Sequence, residues 1–353
     1  MRRVSVRFTF CALSAIAVFA QTPASGPNKV TKTAKVGGEG GFDYLLADVD
    51  GRKLYIPRSG PTARITVFNL DTLAPVGEIP GINAHGVAID TKSGHGFASS
   101  NPVAMFDTKT LALIKTIPVQ GNPDAILGDP FNQRIYIFSH RAPNATVINA
   151  VDGTILGTID LGGMPEQAAT DDKGHIYIDI EDKDNIAVVD AKTMAVTGHY
   201  DLAGKGGGPG GLALDAKNHI LFAACHNPAV MVILNADDGK IITTLPIEAG
   251  TDGAGFNPNT MEAFSSQGNG TLSVIKENSP TSFVVEQNLQ TMVGAKTLTL
   301  DSKTNRIFLM SVEYAAPAAT PAPAPAPEAG GRGGRGPQPL QVPDSFTIIE
   351  VGK

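Results

Sequence analysis

Short apolar runs, each closed by an Asp or Asn, recur along this chain about every 42 residues. Gly86–Asp90 leads to Gly96 and Phe97, Ala125–Asp129 to Arg134–Ile137, Gly211–Asp215 to Ile220–Phe222, and Thr297–Asp301 to Arg306–Phe308. A third run follows in each unit and again ends in Asp or Asn: Ile65–Asn69, Val103–Asp107, Thr146–Asn149, Ile186–Asp190 and Val232–Asn235. A fourth closes the unit, as in Leu113–Ile117, Ile155–Ile159 and Ile241–Leu245. The markers Asp48, Asp90, Asp129, Asp171, Asp215, Asn257 and Asp301 stand 39 to 44 residues apart. A period of ~40–45 residues with four strands per unit is that of a β-propeller. The expected fold is therefore all-β, with seven blades of four strands each.

The seventh unit has three runs, the last being Ser345–Val351. Its missing strand is expected at the other end of the chain. Lys32–Val36, followed by Gly37 and Gly38, matches the fourth-strand text Lys115–Val119 and Gly121. An N-terminal strand that completes the last blade closes the ring and removes two exposed sheet edges. The runs are nearly continuous in apolar residues rather than alternating, as expected of strands buried on both faces. Gly86, Ala125, Ala168, Gly211 and Gly253, near the first strands, suit a crowded axis. The chain has no Trp, so the Trp-Asp dipeptide of WD40 repeats is absent.

The text Gly121–Pro130, then Arg134–Ile137, Ala145–Asn149 and Asp152–Ile159, resembles the YVTN-repeat (YncE-like) β-propellers. The resemblance runs from about residue 30 to the end, apart from one insert. It implies a seven-bladed, secreted propeller of the bacterial periplasm or cell surface, in a family with no established common reaction. Several second strands depart from the Tyr-Val-Thr-Asn pattern, ending in Phe138-Ser139-His140, Asp179-Ile180-Glu181 and Ala224-Cys225-His226. Related ring folds include lactonases, quinoprotein dehydrogenases and the nitrous oxide reductase propeller, so the fold does not assign a function.

Composition adds an address. Arg2, Arg3 and Arg7 precede an apolar run of 13 residues, Phe8–Ala20, shorter than a membrane span. Residues 1–20 are read as a signal peptide cleaved before Gln21, which predicts a periplasmic or secreted protein with no remaining transmembrane anchor. Residues 21–29 are read as a flexible linker and 30–353 as one propeller domain. Within it, 315–341 is mostly Ala, Pro and Gly and is read as a disordered loop insert between the second and third strands of the last blade. After the signal, Cys225 is the lone cysteine, so no internal disulfide or cysteine-based metal motif is available. The net charge of −6 includes three signal-peptide arginines, leaving the rest near −9. That excludes non-specific nucleic-acid binding, which rests on Lys and Arg neutralising phosphates. A closed ring has no edges for a partner to cover, so a monomer is expected.

Topology places the candidate chemistry. Strands alternate in direction, so the turns entering first strands and those leaving second strands emerge on one face, at the channel mouth. The entering turns supply Asp43, His85, Asp124, Glu166, Gly210, Asp252 and Lys296. The exits supply Arg58, His140, Glu181, His226 and Gln267. Together these predict a polar, net acidic ring for a cation or a basic ligand group. Each acid taken singly reads first as a solvated turn residue, since Asp and Asn bond local backbone N–H groups. His85, His140 and His226 come from three blades and would serve as ligands to a divalent metal ion if their side chains meet. No other cofactor is expected.

Gly204–Gly211 lacks a following Gly-Lys-Ser/Thr, so it is no phosphate cradle. Neither a Gly-x-Ser-x-Gly elbow nor a His-Glu-x-x-His pair occurs. The leading functional expectation is a non-catalytic binding or scaffold module whose partner is a protein or a small ligand. The alternative is a metal-assisted lactone hydrolase or oxidoreductase built on the same ring.

Overall fold

A computed structural model describes residues 25–315 and 340–353. The expected signal peptide and all but the flanks of the expected loop insert lie outside the described residues. The described chain forms seven four-stranded antiparallel sheets. Six blades are built from four consecutive strands each, beginning at Leu46, Ala84, Pro123, Pro165, Pro209 and Thr251. The seventh orders its strands as Leu298–Asp301, Arg306–Ser311, Thr347–Gly352 and then Lys29–Lys35. The N-terminal strand thus completes the last blade, pairing antiparallel from Lys29 opposite Gly352 to Lys35 opposite Thr347. It begins three residues before Lys32, at the end of the segment expected as linker. Among the described residues the one helical turn is Glu181–Lys183, and no helix is long and apolar enough to cross a membrane.

The blades fold this way because each strand type has its own burial. Middle strands such as Lys53–Arg58 and Ile220–Cys225 are buried along nearly their whole length, whereas outer strands such as Pro75–Pro80 and Leu113–Ile117 are largely exposed. The core is accordingly divided into seven clusters, one between each pair of neighbouring blades. Tyr55, Ile65 and Val67 of the first blade pack on Val87, Ala98 and Phe106 of the second. Phe308, Met310, Phe346 and Ile348 of the seventh pack on Leu54, Ile56 and Phe68 of the first, which closes the ring. Each such side chain contributes about 1.5–3 kcal/mol on burial.

The repeating Asp and Asn markers have a local cause. Each sits at or just past the end of an innermost strand and accepts backbone N–H bonds from the turn that follows. Asp48 accepts from Gly51, Asp90 from Ser93, Asp129 from Phe131, Asp171 from Lys173, Asp215 from Lys217, Asn257 from Asn259 and Asp301 from Lys303. The side chain supplies the acceptor that the turn backbone lacks. Some of these carboxylates also lock neighbouring blades. Arg52 of the first blade forks onto Asp301 of the seventh at 2.7 and 3.0 Å, and Gln133 donates to Asp90.

The two termini are tied to the sixth blade as well. Asn28 and Gln287 exchange hydrogen bonds, Asn28 N–H to Gln287 Oε1 at 3.1 Å and Gln287 Nε2 to the Asn28 carbonyl at 2.9 Å. Buried Glu262 accepts from Asn28 Nδ2 at 3.4 Å and pairs with Lys353 at 2.9 Å.

Candidate functional site

The ring residues occupy one structural position. His85, Asp124, Glu166, Gly210 and Asp252 are each the second residue of an innermost strand: Ala84–Asp90, Pro123–Asp129, Pro165–Thr170, Pro209–Asp215 and Thr251–Asn257. In all five, the pairing register slips just after the strand begins, between Ala84 and Val87, Pro123 and Ile126, Pro165 and Ala168, Pro209 and Gly211, and Thr251 and Gly253. A bulge at a strand start bends the strand and re-aims the side chain. Here it turns the second residue toward the axis. Asp43 and Lys296 reach the same ring from the segments that precede the innermost strands of the first and seventh blades.

The side chains form an alternating chain of acids and bases around the mouth. Lys296 Nζ bonds Asp252 Oδ2 and lies 3.3 Å from Asp43 Oδ1. Asp43 Oδ2 lies 3.0 Å from His85 Nδ1, which is also 3.1 Å from Asp124 Oδ1. Asp124 Oδ2 lies 3.4 Å from His140 Nε2, and His140 Nε2 lies 2.9 Å from Glu166 Oε1. The other Glu166 oxygen accepts a 3.0 Å bond from the Tyr44 hydroxyl, which crosses the channel from the first blade to the fourth.

This packing sets the charges. Burial works to raise the Asp43 carboxyl, but the His85 bond and the Lys296 charge together hold it below its ordinary value. Burial raises Asp124, with the neighbouring Glu166 and Asp43 charges adding to it against His85 and His140. Burial likewise raises Asp252 despite Lys296, and raises Glu181 with help from Glu166. The contact with Asp43 raises His85. Glu166 raises His140 to about 9, so that imidazole is cationic at neutral pH. Burial works to lower Lys296, but the Asp252 and Asp43 charges overcome it and raise the ammonium.

Four expected members of the ring stand elsewhere or apart. Arg58 does not line the mouth. It is 1 % exposed, lies 3.3 Å over the Phe346 ring and donates 3.2 Å bonds to the carbonyls of Gly37 and Glu39. Gln267 is fully buried and donates to Ser265. Arg58 and Gln267 are the last residues of their second strands, whereas His140 and Glu181 stand one residue beyond theirs. One position along a strand reverses the side-chain direction, so the first two face the blade interior. His226 also stands one residue past its strand, but it is exposed beside Gly210, where an added Cβ would come 2.8 Å from its Nε2. The groups whose ligand atoms meet are Asp43, His85 and Asp124, and Asp124, His140 and Glu166. The three-histidine set is therefore not brought together: carboxylates stand between His85 and His140, and His226 belongs to neither group. Glu181 remains at the rim, half-buried.

Two side chains at the axis were not anticipated. The residue after each ring position is small in four blades, Gly86, Ala125, Gly211 and Gly253. At Gly211 the space is tight, since an added Cβ would come 2.8 Å from the Gly253 backbone. In the other three it is Tyr44, Gln167 and Thr297, and each bonds across blades. Tyr44 reaches Glu166, Thr297 donates to the Asp43 carbonyl at 2.6 Å, and Gln167 accepts from Leu212 and Ala254 N–H and donates to the Ala254 carbonyl. Ala168, expected at the axis, packs instead against the core between the third and fourth blades, and Gln167 holds the axial position.

The far end of the channel opens on a cavity of about 330 Å³ whose charged side chains are Asp48 and Asp50. Asp48 is engaged by the Gly51 N–H at 2.9 Å. The chemistry is concentrated at the His/carboxylate mouth.

No family model matches the chain. No curated protein matches it either. Among solved structures, a chain in a crystal structure of a mitotic checkpoint complex matches with a TM-score of 0.64 at 10% identity, covering 88% of this chain and 96% of that one. At that identity the likeness is one of fold: this chain is a seven-bladed β-propeller.

Proposed function

We propose that this propeller is an extracytoplasmic, non-catalytic binding module of the YVTN-repeat type, acting as a monomer, which takes a cationic ligand group at its channel mouth. The observation that supports this reading is the convergence of Asp43, Asp124, Glu166 and Asp252 from four blades onto one ring, within reach of the solvent. The carboxylates outnumber the cations. A ligand amine, guanidinium or metal ion would displace protons from His85 and His140 and take up the excess negative charge. The N-terminal basic and apolar run of residues 2–20 supports export.

The test is calorimetric titration of the chelator-treated chain with spermidine and with a lysine-rich peptide, against a variant carrying Asp124→Ala, Glu166→Ala and Asp252→Ala. Binding by the parent and loss by the folded variant is the expected result. Equal binding by both would remove the mouth as the site.

A second reading, metal-assisted hydrolysis, draws on the two His/carboxylate groups, because a divalent ion there would acidify a bound water. Turnover of a lactone panel that depends on added metal and is lost in His140→Ala would favour it.

A further inference from the structure

Hydrogen bonding alone does not account for the geometry of the mouth. His140 Nε2 lies 2.9 Å from Glu166 Oε1 and 3.4 Å from Asp124 Oδ2, and His85 Nδ1 lies 3.1 Å from Asp124 Oδ1. Yet His140 Nε2 and Asp124 Oδ1 are both shielded from solvent and have no hydrogen-bond partner. At these three contacts the atoms are close but make no hydrogen bond; the one bond among the donors is His85 Nδ1 with Asp43 Oδ2 at 3.0 Å. Donor atoms lie side by side without bonding one another when they surround a common centre. Around an ion with ~2.0–2.2 Å ligand bonds, the edge between two donors is about 2.8–3.6 Å for octahedral or tetrahedral geometry, and the separations here fall within that range.

Asp124 presents its two oxygens to different groups. Oδ1 lies beside His85 Nδ1, which Asp43 Oδ2 also contacts; Oδ2 lies beside His140 Nε2, which Glu166 Oε1 also contacts. Each group supplies one imidazole nitrogen and two carboxylate oxygens, all within 4.8 Å of one another. We infer that the channel mouth binds a pair of divalent first-row transition-metal ions bridged by the Asp124 carboxylate, one held by Asp43 and His85 and the other by His140 and Glu166. This names the cation of the binding reading above and rests on it. Mixed imidazole and carboxylate donors without thiolate suit Zn²⁺ and its first-row neighbours.

The surroundings orient both groups. The Tyr44 hydroxyl holds Glu166 Oε2, which leaves Oε1 for the ion, and Lys296 holds Asp43 Oδ1, which leaves Oδ2. Outer partners of this kind fix ligand orientation, and their loss typically costs ~10–100-fold in metal affinity.

The experiment is equilibrium dialysis of the chelator-treated full chain against Zn²⁺ alone, with metal counted by mass spectrometry and the sites followed by Co²⁺ absorption. Two ions per chain are expected. His85→Ala and His140→Ala should each retain one, and Asp124→Asn should weaken both by about tenfold or more. Tyr44→Phe should weaken only the ion lost in His140→Ala. Far-UV circular dichroism of each metal-free variant establishes that it is folded; a variant that is not is replaced by the corresponding Gln substitution at His85 or His140. Uptake of no ion, or of one ion only, overturns the pair. So does uptake of two ions that Asp124→Asn leaves unchanged. Spermidine binding in chelator would persist in any of these cases if the broader reading holds, so the two failures are distinguishable.

Discussion

Arg58 gives the sharpest test of how the ring is closed. Its guanidinium is almost fully buried, with no carboxylate partner among the described residues. It stacks at 3.3 Å on Phe346 of the seventh blade and donates to the carbonyls of Gly37 and Glu39, in the segment that follows the closing strand. One side chain of the first blade therefore holds both sides of the ring-closing seam. Burial, with the nearby Arg64 charge, pushes its pKa down to about 10, so it remains a cation at neutral pH. Arg58→Ala removes a desolvated cation–π contact of about 2 kcal/mol and two charge-assisted hydrogen bonds of roughly 1.5–3 kcal/mol each. It also leaves a cavity against Phe346. Relief from burying an unpaired cation, a penalty of several kcal/mol, offsets much of this. The net expectation is a loss of about 2–4 kcal/mol. For a chain of this size that is a fall in Tm of roughly 3–6 °C. Arg58→Lys should lose most of the same amount, because an ammonium cannot stack flat on the ring while bonding two carbonyls. Urea unfolding followed by far-UV circular dichroism measures the change, with the m-value checked for two-state behaviour. An Arg58→Ala variant within 0.5 kcal/mol of the parent, a margin of roughly the size expected for surface substitutions, would refute this account of closure.

Other consequences follow from the same seam and from the blade interfaces. Gly38 has φ +81°, and an added Cβ would lie 2.8 Å from Arg64 Nη2 and 3.2 Å from Arg58 Nη2. Gly38→Ala should therefore cost at least the ~1–2 kcal/mol of a left-handed residue, read by the same urea assay. Asp179 is fully buried with both oxygens unpartnered, and burial, then the Glu166 charge, raises its pKa well above the usual value. The folded chain therefore keeps this proton to higher pH than the unfolded chain, and stability falls as pH rises from the unfolded value near ~3.9. Asp179→Asn should match the parent at pH 4 and exceed it at pH 8 by roughly 1–3 kcal/mol; an equal difference at both pH values would count against this. The flanks of the proline-rich insert pair with each other, Ala315 N–H to the Leu340 carbonyl at 2.8 Å and Val342 N–H to the Glu313 carbonyl at 2.8 Å. Joining Ala315 directly to Leu340 should thus leave Tm within about 2 °C of the parent, since loop-length terms are small.

The architecture was legible because the period and the turn chemistry repeat. Asp90, Asp129 and Asp215 mark strand ends by the same side-chain-to-backbone bonds, so their spacing counts blades directly. The closing strand was legible from Lys115–Val119, its internal counterpart. Ring members at the second position of innermost strands were legible for the same reason. The errors came where one residue decides the direction of a side chain. Arg58 and Gln267 end their strands, and His140 and Glu181 follow theirs, a difference in register that composition does not carry. Tyr44 and Gln167 had a visible signal, a large polar residue where Gly86, Ala125, Gly211 and Gly253 stand in other repeats. Their partners could not be read, because Tyr44 meets Glu166 across 122 residues of chain and Gln167 meets Ala254 across 87.

The distribution of burial explains how this site and this fold coexist. Stability resides in seven interblade clusters and in the locks on the far face, such as Arg52 with Asp301. The mouth contributes little apolar area, and its carboxylates crowd one another. Asp124 and Asp252 are both raised above the ordinary carboxyl value by that environment. A ring selected for stability alone would place neutral turn residues there, as Gly210 already does in the fifth blade. Four acids, one imidazole and one ammonium at equivalent positions, with the His140 imidazole beside them, instead oppose the burial of charge. Proton uptake by His140 relieves part of that cost, and a bound cation would relieve it more completely. A perturbed, convergent cluster on an otherwise self-sufficient scaffold is the pattern expected of a binding site. It also means the mouth can be rewritten while the propeller stands, which is what allows ligand and fold to be tested separately.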